Sequence, residues 1–172
     1  MSVKESLDLF GKRIVQQSKS NLSKKGKKDT SELYNSISYD LEVHKNSFSL
    51  SFKMSDYGVF VDKGVKGKTS SAKAPNSPFK FGSGSGKSGG LTKGIEGWVK
   101  RKGLQFKDKK TGRFMSYKNT SFLIVRSIYN KGIETSNFFT KPFENEFRKL
   151  PDEIVEAYGL EVNSLMKSIF AK

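Results

Sequence analysis

Tyr57-Gly58-Val59-Phe60-Val61-Asp62-Lys63-Gly64 closes the patterned first third of the chain, and KGKTSSAKAPNSPFKFGSGSGKSGGLT, residues 66–92, breaks the pattern. Residues 57–61 read as a strand or as a short helical turn; Tyr57, Phe60 and Val61 share a helical face with Ser55 or Asp56 placed to cap it, which favours the turn. Gly64 then permits a backbone reversal. The following segment has no hydrophobic periodicity, carries Pro75 and Pro78, and is dense in Gly, Ser and Lys. Connections this long inside a domain are uncommon, and are usually functional or unstructured. At ~3.3 Å per residue the segment would reach on the order of 80 Å if drawn out. The expectation is a long basic extended arm, residues 65–92, that a folded body holds out toward another molecule. Its contact residues are then Tyr57, Phe60, Asp62, Gly64, Lys66, Lys68, Lys73, Phe79, Lys80, Phe81 and Lys87, with Trp98 on the element beyond.

Upstream of that stretch two periodicities alternate. Val3, Leu7, Phe10, Ile14 and Leu22 lie on one helical face, so residues 2–22 read as an amphipathic helix with Ser2 and Glu5 as a capping box. Lys-rich SKKGKK, residues 23–28, ends it as a solvated loop. Ile37, Tyr39, Leu41 and Val43 then alternate with polar residues, and Phe48, Leu50 and Phe52 do the same after a turn at His44-Lys45-Asn46. That period of two marks a hairpin with one buried face, and the first helix is its cover.

Downstream, Thr92–Lys102 reads as a helix with Ile95, Trp98 and Val99 on one face and Gly103 as its stop. Residues 104–118 read as a small basic hairpin turning at Asp108–Gly112. Thr120 or Ser121 opens an apolar helix through Tyr129 that is expected to be buried on several faces. Ser136 is expected to cap a helix carrying Phe138, Phe139, Phe143 and Phe147. Pro151 fits the first turn of a last helix with Ile154, Tyr158, Val162, Leu165 and Ile169 as its stripe. The order of elements is α+β within a single domain, residues 1–172, and not the βαβ alternation of a nucleotide-binding sheet.

The 172 residues carry 32 Lys and Arg against 17 Asp and Glu, a net charge of +15, with no cysteine. A thiolate metal site and a disulfide scaffold are excluded, and a reducing cytoplasm fits. The opening MSVKESLDLF has no apolar run of a secretory signal, and no window suits a membrane span. The charge is uneven. Residues 62–118 hold fifteen basic and three acidic groups, a net +12, while residues 119–172 are balanced. Such a field attracts polyanions or acidic proteins.

Catalytic patterns fail on spacing. Gly82-Ser-Gly-Ser-Gly-Lys-Ser88 approximates a phosphate-binding loop, but only three residues separate Gly82 from Gly86-Lys87 where four are needed. Two prolines precede it in place of a buried strand. Val59-Phe60-Val61-Asp62 mimics a magnesium-binding acidic strand, on the wrong side of that loop. His44 is the only histidine and sits in a turn without a second metal ligand. Asp62, Glu96 and Asp108 stand among lysines and do not form a convergent acid–base pair. No enzyme, cofactor or metal is therefore expected.

Several short motifs together resemble one family. These are Thr30, Leu33, Ser36 and Ile37 at the hairpin entry, then Tyr57, Phe60, Val61, Asp62 and Gly64. Trp98, Val99, Lys102 and Gly103 follow, then Gly132 and Ile133, then Phe138, Pro142 and Phe143 before a last helix. The set is similar to the tail-completion, or head–tail joining, proteins of tailed bacteriophages. Thr30-Ser31 stands where that family usually has Thr-Gly, and Asp62 and Gly64-Val65 stand where it has Glu and Gly-Thr. The resemblance implies a structural virion protein, a homo-oligomeric ring of six or twelve copies at the neck. The ring would join portal-side connector to tail and line or seal the DNA passage. It further implies non-specific contact with packaged DNA, no membrane, and residence in the host cytoplasm during assembly.

Overall fold

A computed structural model describes residues 3–26, 31–44, 47–83, 90–157, 166–167 and 169–170. Its elements are α1 (Val3–Lys24), α2 (Glu32–Ser36), β1 (Ser38–Val43), β2 (Phe48–Lys53), α3 (Gly58–Lys63), β3 (Val65–Lys66), α4 (Gly90–Lys102), α5 (Tyr117–Lys131), β4 (Gly132–Ile133), α6 (Thr140–Phe147) and α7 (Asp152–Ala157). Helices with two small antiparallel sheets make the chain α+β. It divides into two compact units: residues 1–62 with 136–172, and residues 63–135. The second is thus an insertion within the first.

The first unit is built on aromatic packing. Leu7, Phe10, Ile14 and Leu22 of α1 are buried, as the helical period requires. β1 and β2 pair with Tyr39 opposite Phe52, Leu41 opposite Leu50 and Val43 opposite Phe48, so one face collects the apolar side chains. Gly11 lets α1 approach this face, because a Cβ there would lie 2.6 Å from the Tyr39 ring. α1 covers the hairpin, and α6 completes the layer. Phe138, Phe139 and Phe143 are fully buried. Phe10 meets Phe143 edge-on with ring centroids 5.5 Å apart, and Phe52 meets Phe139 at 5.3 Å. Such edge contacts add to the area term, which already makes buried Phe the largest contributor here.

The hairpin base is fastened by a serine pair. Ser36 Oγ accepts from the Ser55 amide at 2.9 Å and lies 3.0 Å from its hydroxyl. Glu146 is buried on the inner side of α6. Its Oε1 accepts from Gln17 and from Lys149, each at 2.6 Å, and Arg13 approaches Oε2 at 3.6 Å. Burial opposes its charge. The hydrogen bonds from Lys149 and Gln17, with the charges of Lys149 and Arg13, outweigh burial and hold the carboxyl below the usual range.

Two expected boundaries move. Ser136 does not cap α6; its hydroxyl donates to Val61 O at 2.6 Å. The cap comes from Asp62, far away in sequence. α7 begins at Asp152, with Pro151 just outside it, where its carbonyl accepts from the amides of Ile154 and Val155. Tyr158, Val162 and Leu165 of the expected stripe lie outside the described residues.

The second unit is held together differently. Its buried apolar side chains, among the described residues, are Val65, Ala74 and Val99. α4 and α5 pack together and β3 pairs with β4, and backbone hydrogen bonds with a few side-chain ones, such as Ser77 to Gly64 O, tie the rest. α4 opens at Gly90, before the expected cap Thr92, and ends at Gly103 (φ +62°) as the sequence requires. α5 starts at Tyr117, a turn earlier than expected. Ser116 accepts from the Asn119 amide, and Thr120 and Ser121 are buried inside the first turns. Between the helices, Lys107 pairs with Phe114 in a small hairpin, with Asp108–Gly112 as its turn.

The extended arm is corrected. Residues 66–83 fold back along their own unit. The Lys66 amide donates to Phe79 O and Lys66 O accepts from Phe81, so 79–81 runs beside β3. Lys68 and Thr69 donate to the carbonyls of Tyr129 and Asn130, closing the C-terminus of α5. Ser77 is buried and donates to Gly64 O at 2.7 Å. The α5 carbonyls need donors beyond their helix, and the segment supplies them from a stretch with no apolar pattern to announce it. Residues 84–89, with most of the phosphate-loop lookalike, lie outside the described residues.

Candidate interaction surface

Asp62 sits at the end of α3 and is fully buried. Its Oδ1 accepts from the amides of Phe139 (2.8 Å) and Thr140 (3.1 Å), and Thr140 Oγ1 donates to Oδ2. Its main-chain carbonyl accepts from Ser136 and Asn137. A carboxylate at a helix N-terminus satisfies orphan amides and complements the dipole. Asp62 is therefore a structural cap for α6, with its carboxylate spent on the protein's own donors.

The remaining expected contact residues separate. Tyr57 and Phe60 belong to the first unit and are partly exposed. Burial, and then the charge of Glu32, raises the Tyr57 hydroxyl above its ordinary pKa. In the second unit, Gly64 takes a positive φ of 72° and is buried. Lys66, Lys68, Phe79, Lys80 and Phe81 come together beside Tyr129. The Phe81 ring lies 5.7 Å from Tyr129, and Lys68 Nζ stands 5.9 Å over the same ring. Lys73 is exposed, and its carbonyl accepts from the Thr135 amide. Trp98 is half-buried on α4. Lys87 lies outside the described residues.

Two glycines hold this unit closed: Gly67, which no motif singled out, and Gly132, one of the residues that carry the family resemblance. A Cβ on Gly67 would lie 2.0 Å from Asn130 O, and one on Gly132 (φ +85°) would lie 2.3 Å from Val65 O. Backbone meets backbone there, and only glycine fits. Their signal in the sequence is weak, since Gly67 reads as one more flexible residue in a Gly/Ser/Lys run.

Surface character follows from the same economy of core. Leu104, Phe106, Phe114, Tyr117, Phe122 and Leu123 are large, apolar and exposed, and all belong to residues 63–135. Phe114 is 65% exposed and Phe122 62%. The apolar helix, expected to be buried on several faces in the core or under a neighbour, is buried on one side within this unit: Thr120 and Ser121 face inward, while Phe122 lies on the opposite side. Phe138, Phe139, Phe143 and Leu150 are buried in the first unit's own core. The second unit also carries seventeen basic and three acidic residues, +14 of the net +15.

Among the described residues no cluster of His, Asp or Glu could hold a metal ion, and no helix is long and apolar enough to cross a membrane. No known family matches the chain, and comparison with curated proteins and with solved structures finds no match.

Proposed function

We propose that the chain is a structural subunit of the head–tail junction of a tailed bacteriophage. Copies close into a ring of six or twelve between the portal-side connector and the tail, around the path of the DNA. The observation that supports this most is the unequal use of apolar side chains. A unit with three small buried apolar residues, and six large exposed ones, gains its missing burial from a neighbour. Units of +14 repel one another, so a contact between copies is heterologous: the basic face of one meets the near-neutral unit of the next. Such head-to-tail contacts close into rings when the rotation divides the circle.

Many of the residues that carry the family resemblance occupy fold-building positions, which favours the same reading. Leu33, Ile37, Val99, Phe138, Pro142 and Phe143 are buried, and Ser36 ties the hairpin base. Thr30 lies outside the described residues. The role is assembly, in the virion neck after passage through the host cytoplasm, and it involves no catalysis.

Light-scattering mass of the purified chain, with images of the purified particle, tests the reading. Closed rings of six or twelve copies are expected. A chain that stays monomeric at high concentration, and is not found in particles, overturns it. A second reading, a stand-alone nucleic-acid-binding protein, is favoured by the +14 of the inserted unit. It requires tight binding by the monomer, with steep loss of affinity in salt.

A further inference from the structure

The hairpin of residues 104–116 is the most exposed structured part of the second unit. Every described residue from Arg101 to Lys107 is exposed, and so is every one from Lys109 to Phe114. The hairpin is nevertheless pinned. The Asp108 amide donates to Arg113 O and the Met115 amide to Phe106 O. The Phe106 amide donates to the buried Thr120 hydroxyl of α5 at 3.2 Å, and Gln105 Nε2 donates to Met115 O at 2.9 Å. A rigid, exposed hairpin without an apolar face toward the protein has its side chains committed elsewhere.

Those side chains are aromatic and cationic. Lys107 and Phe114 are paired across the ladder, and Lys107 Nζ stands 5.1 Å over the Phe114 ring. Phe106, 42% exposed, lies on the opposite face of the ladder, on the same side as Arg113. Lys109 and Lys110 form the tip. Residues 104–118 carry five basic groups and one acidic group. That one acid, Asp108, is turned onto its own loop: Oδ1 accepts from the amides of Lys110 and Thr111 and from the Thr111 hydroxyl. The Thr111 and Lys110 amides, and then the Thr111 hydroxyl, hold its carboxyl below the usual range. Its charge shapes the turn and leaves the lysines to act outward.

We infer that this hairpin is a binding site for single-stranded nucleic acid, with Phe114 as the platform for a base and Lys107, Lys109 and Lys110 as partners for the phosphates. The inference rests on the polyanion reading of this unit and needs no ring. An aromatic face accepts any unpaired base, and neighbouring lysines replace the counterions of the backbone. An acidic protein would satisfy the lysines, whereas an unpaired nucleotide brings both an anion for the lysines and a flat face for the Phe114 ring. A duplex keeps its bases stacked on one another and offers the ring nothing.

The test uses the full chain and a labelled oligothymidylate, with affinity read by fluorescence anisotropy between about 50 mM and about 200 mM salt. Phe114→Ala is expected to weaken binding about tenfold with the salt slope unchanged, and Phe114→Trp to restore it. Lys109→Ala with Lys110→Ala is expected to lower the slope of log affinity against log salt by roughly 1.4. Thermal unfolding of these surface variants is expected to match the parent. No binding at the lower salt, equal affinity of Phe114→Ala, or tighter binding of the matching duplex overturns the inference. So does capture by phosphatidylserine vesicles without capture of the oligonucleotide. A chain that forms rings yet ignores the oligonucleotide defeats this site alone, and a monomer that binds it but never forms rings defeats the junction reading alone.

Discussion

The two units solve the problem of staying folded with different materials. Among the described residues, the unit of residues 1–62 and 136–172 buries twelve of the fifteen core apolar side chains, including every buried phenylalanine. Residues 63–135 bury three small ones and rely on backbone bonds, two close-fitting glycines and the pairing of α4 with α5. The first unit carries a net +1 and the second +14. An apolar core sits under a nearly neutral surface in one unit, whereas the other displays both its phenylalanines and its cations. The difference shows that one short chain can keep its aromatic core and its excess charge in separate places.

The largest break in that contrast comes from the core. Phe143→Ala removes a ring that touches Phe10, Phe52, Phe139 and Phe147, and a loss of ~3–5 kcal/mol is expected in denaturant titration. A loss below about 1 kcal/mol would mean that the aromatic cluster does not carry the first unit. Next comes Asp62→Ala, which strands two buried amides and a hydroxyl, at a cost of ~2–3 kcal/mol. Asp62→Asn keeps one acceptor and is expected to lose less. If the two variants are equally stable, the cap is not the source of the effect.

In the second unit, Gly132→Ala is expected to cost ~1–3 kcal/mol through backbone strain, visible as early loss of amide-exchange protection confined to residues 63–135. Uniform loss of protection across both units would erase the distinction drawn here. Glu146 sharpens it from the other side. Its folded-state pKa is lowered, so its contribution is present above the unfolded value of about 4.3 and is lost as pH falls through the lower folded value. Glu146→Gln is expected to flatten the acid limb of the stability curve and to leave it unchanged near neutral pH in slope. The smallest effect belongs to Phe122→Ser, where stability stays within about 0.5 kcal/mol while assembly weakens. A large loss of monomer stability would place Phe122 in a core.

Legibility in the sequence follows the same division. The first unit announced itself because its elements are periodic: Leu7, Phe10 and Ile14 recur at helical spacing, and Tyr39, Leu41, Phe48, Leu50 and Phe52 alternate with polar residues. The short turn at 58–63 and the reversal at Gly64 were also readable. In the second unit α4, its stop at Gly103 and the hairpin turning at Asp108–Gly112 were readable, but the packing of residues 66–83 was not, because its bonds run through peptide groups that every residue carries. The run 66–83 has the composition of a free arm, yet Lys68, Thr69 and Ser77 spend their donors on carbonyls of Tyr129, Asn130 and Gly64. Asp62 was singled out for its position beside that run, while its partners, Phe139 and Thr140, lie 77 and 78 residues away. No local pattern encodes such a pairing.

The inserted unit leaves and re-enters the first at adjoining points, since Asp62 and Ser136 are bonded neighbours and Thr135 Oγ1 donates to Lys63 O at 2.8 Å. A pull on the basic unit therefore enters the aromatic one along two peptide connections, 62–63 and 135–136. The first ends at Asp62, the buried carboxylate that grips the start of α6, and the second at Ser136, whose amide is hydrogen-bonded to the Asp62 carbonyl. Both crossings of the chain thus converge on one hydrogen-bonded pair, and tension on residues 63–135 is expected to be felt first at the N-terminus of α6.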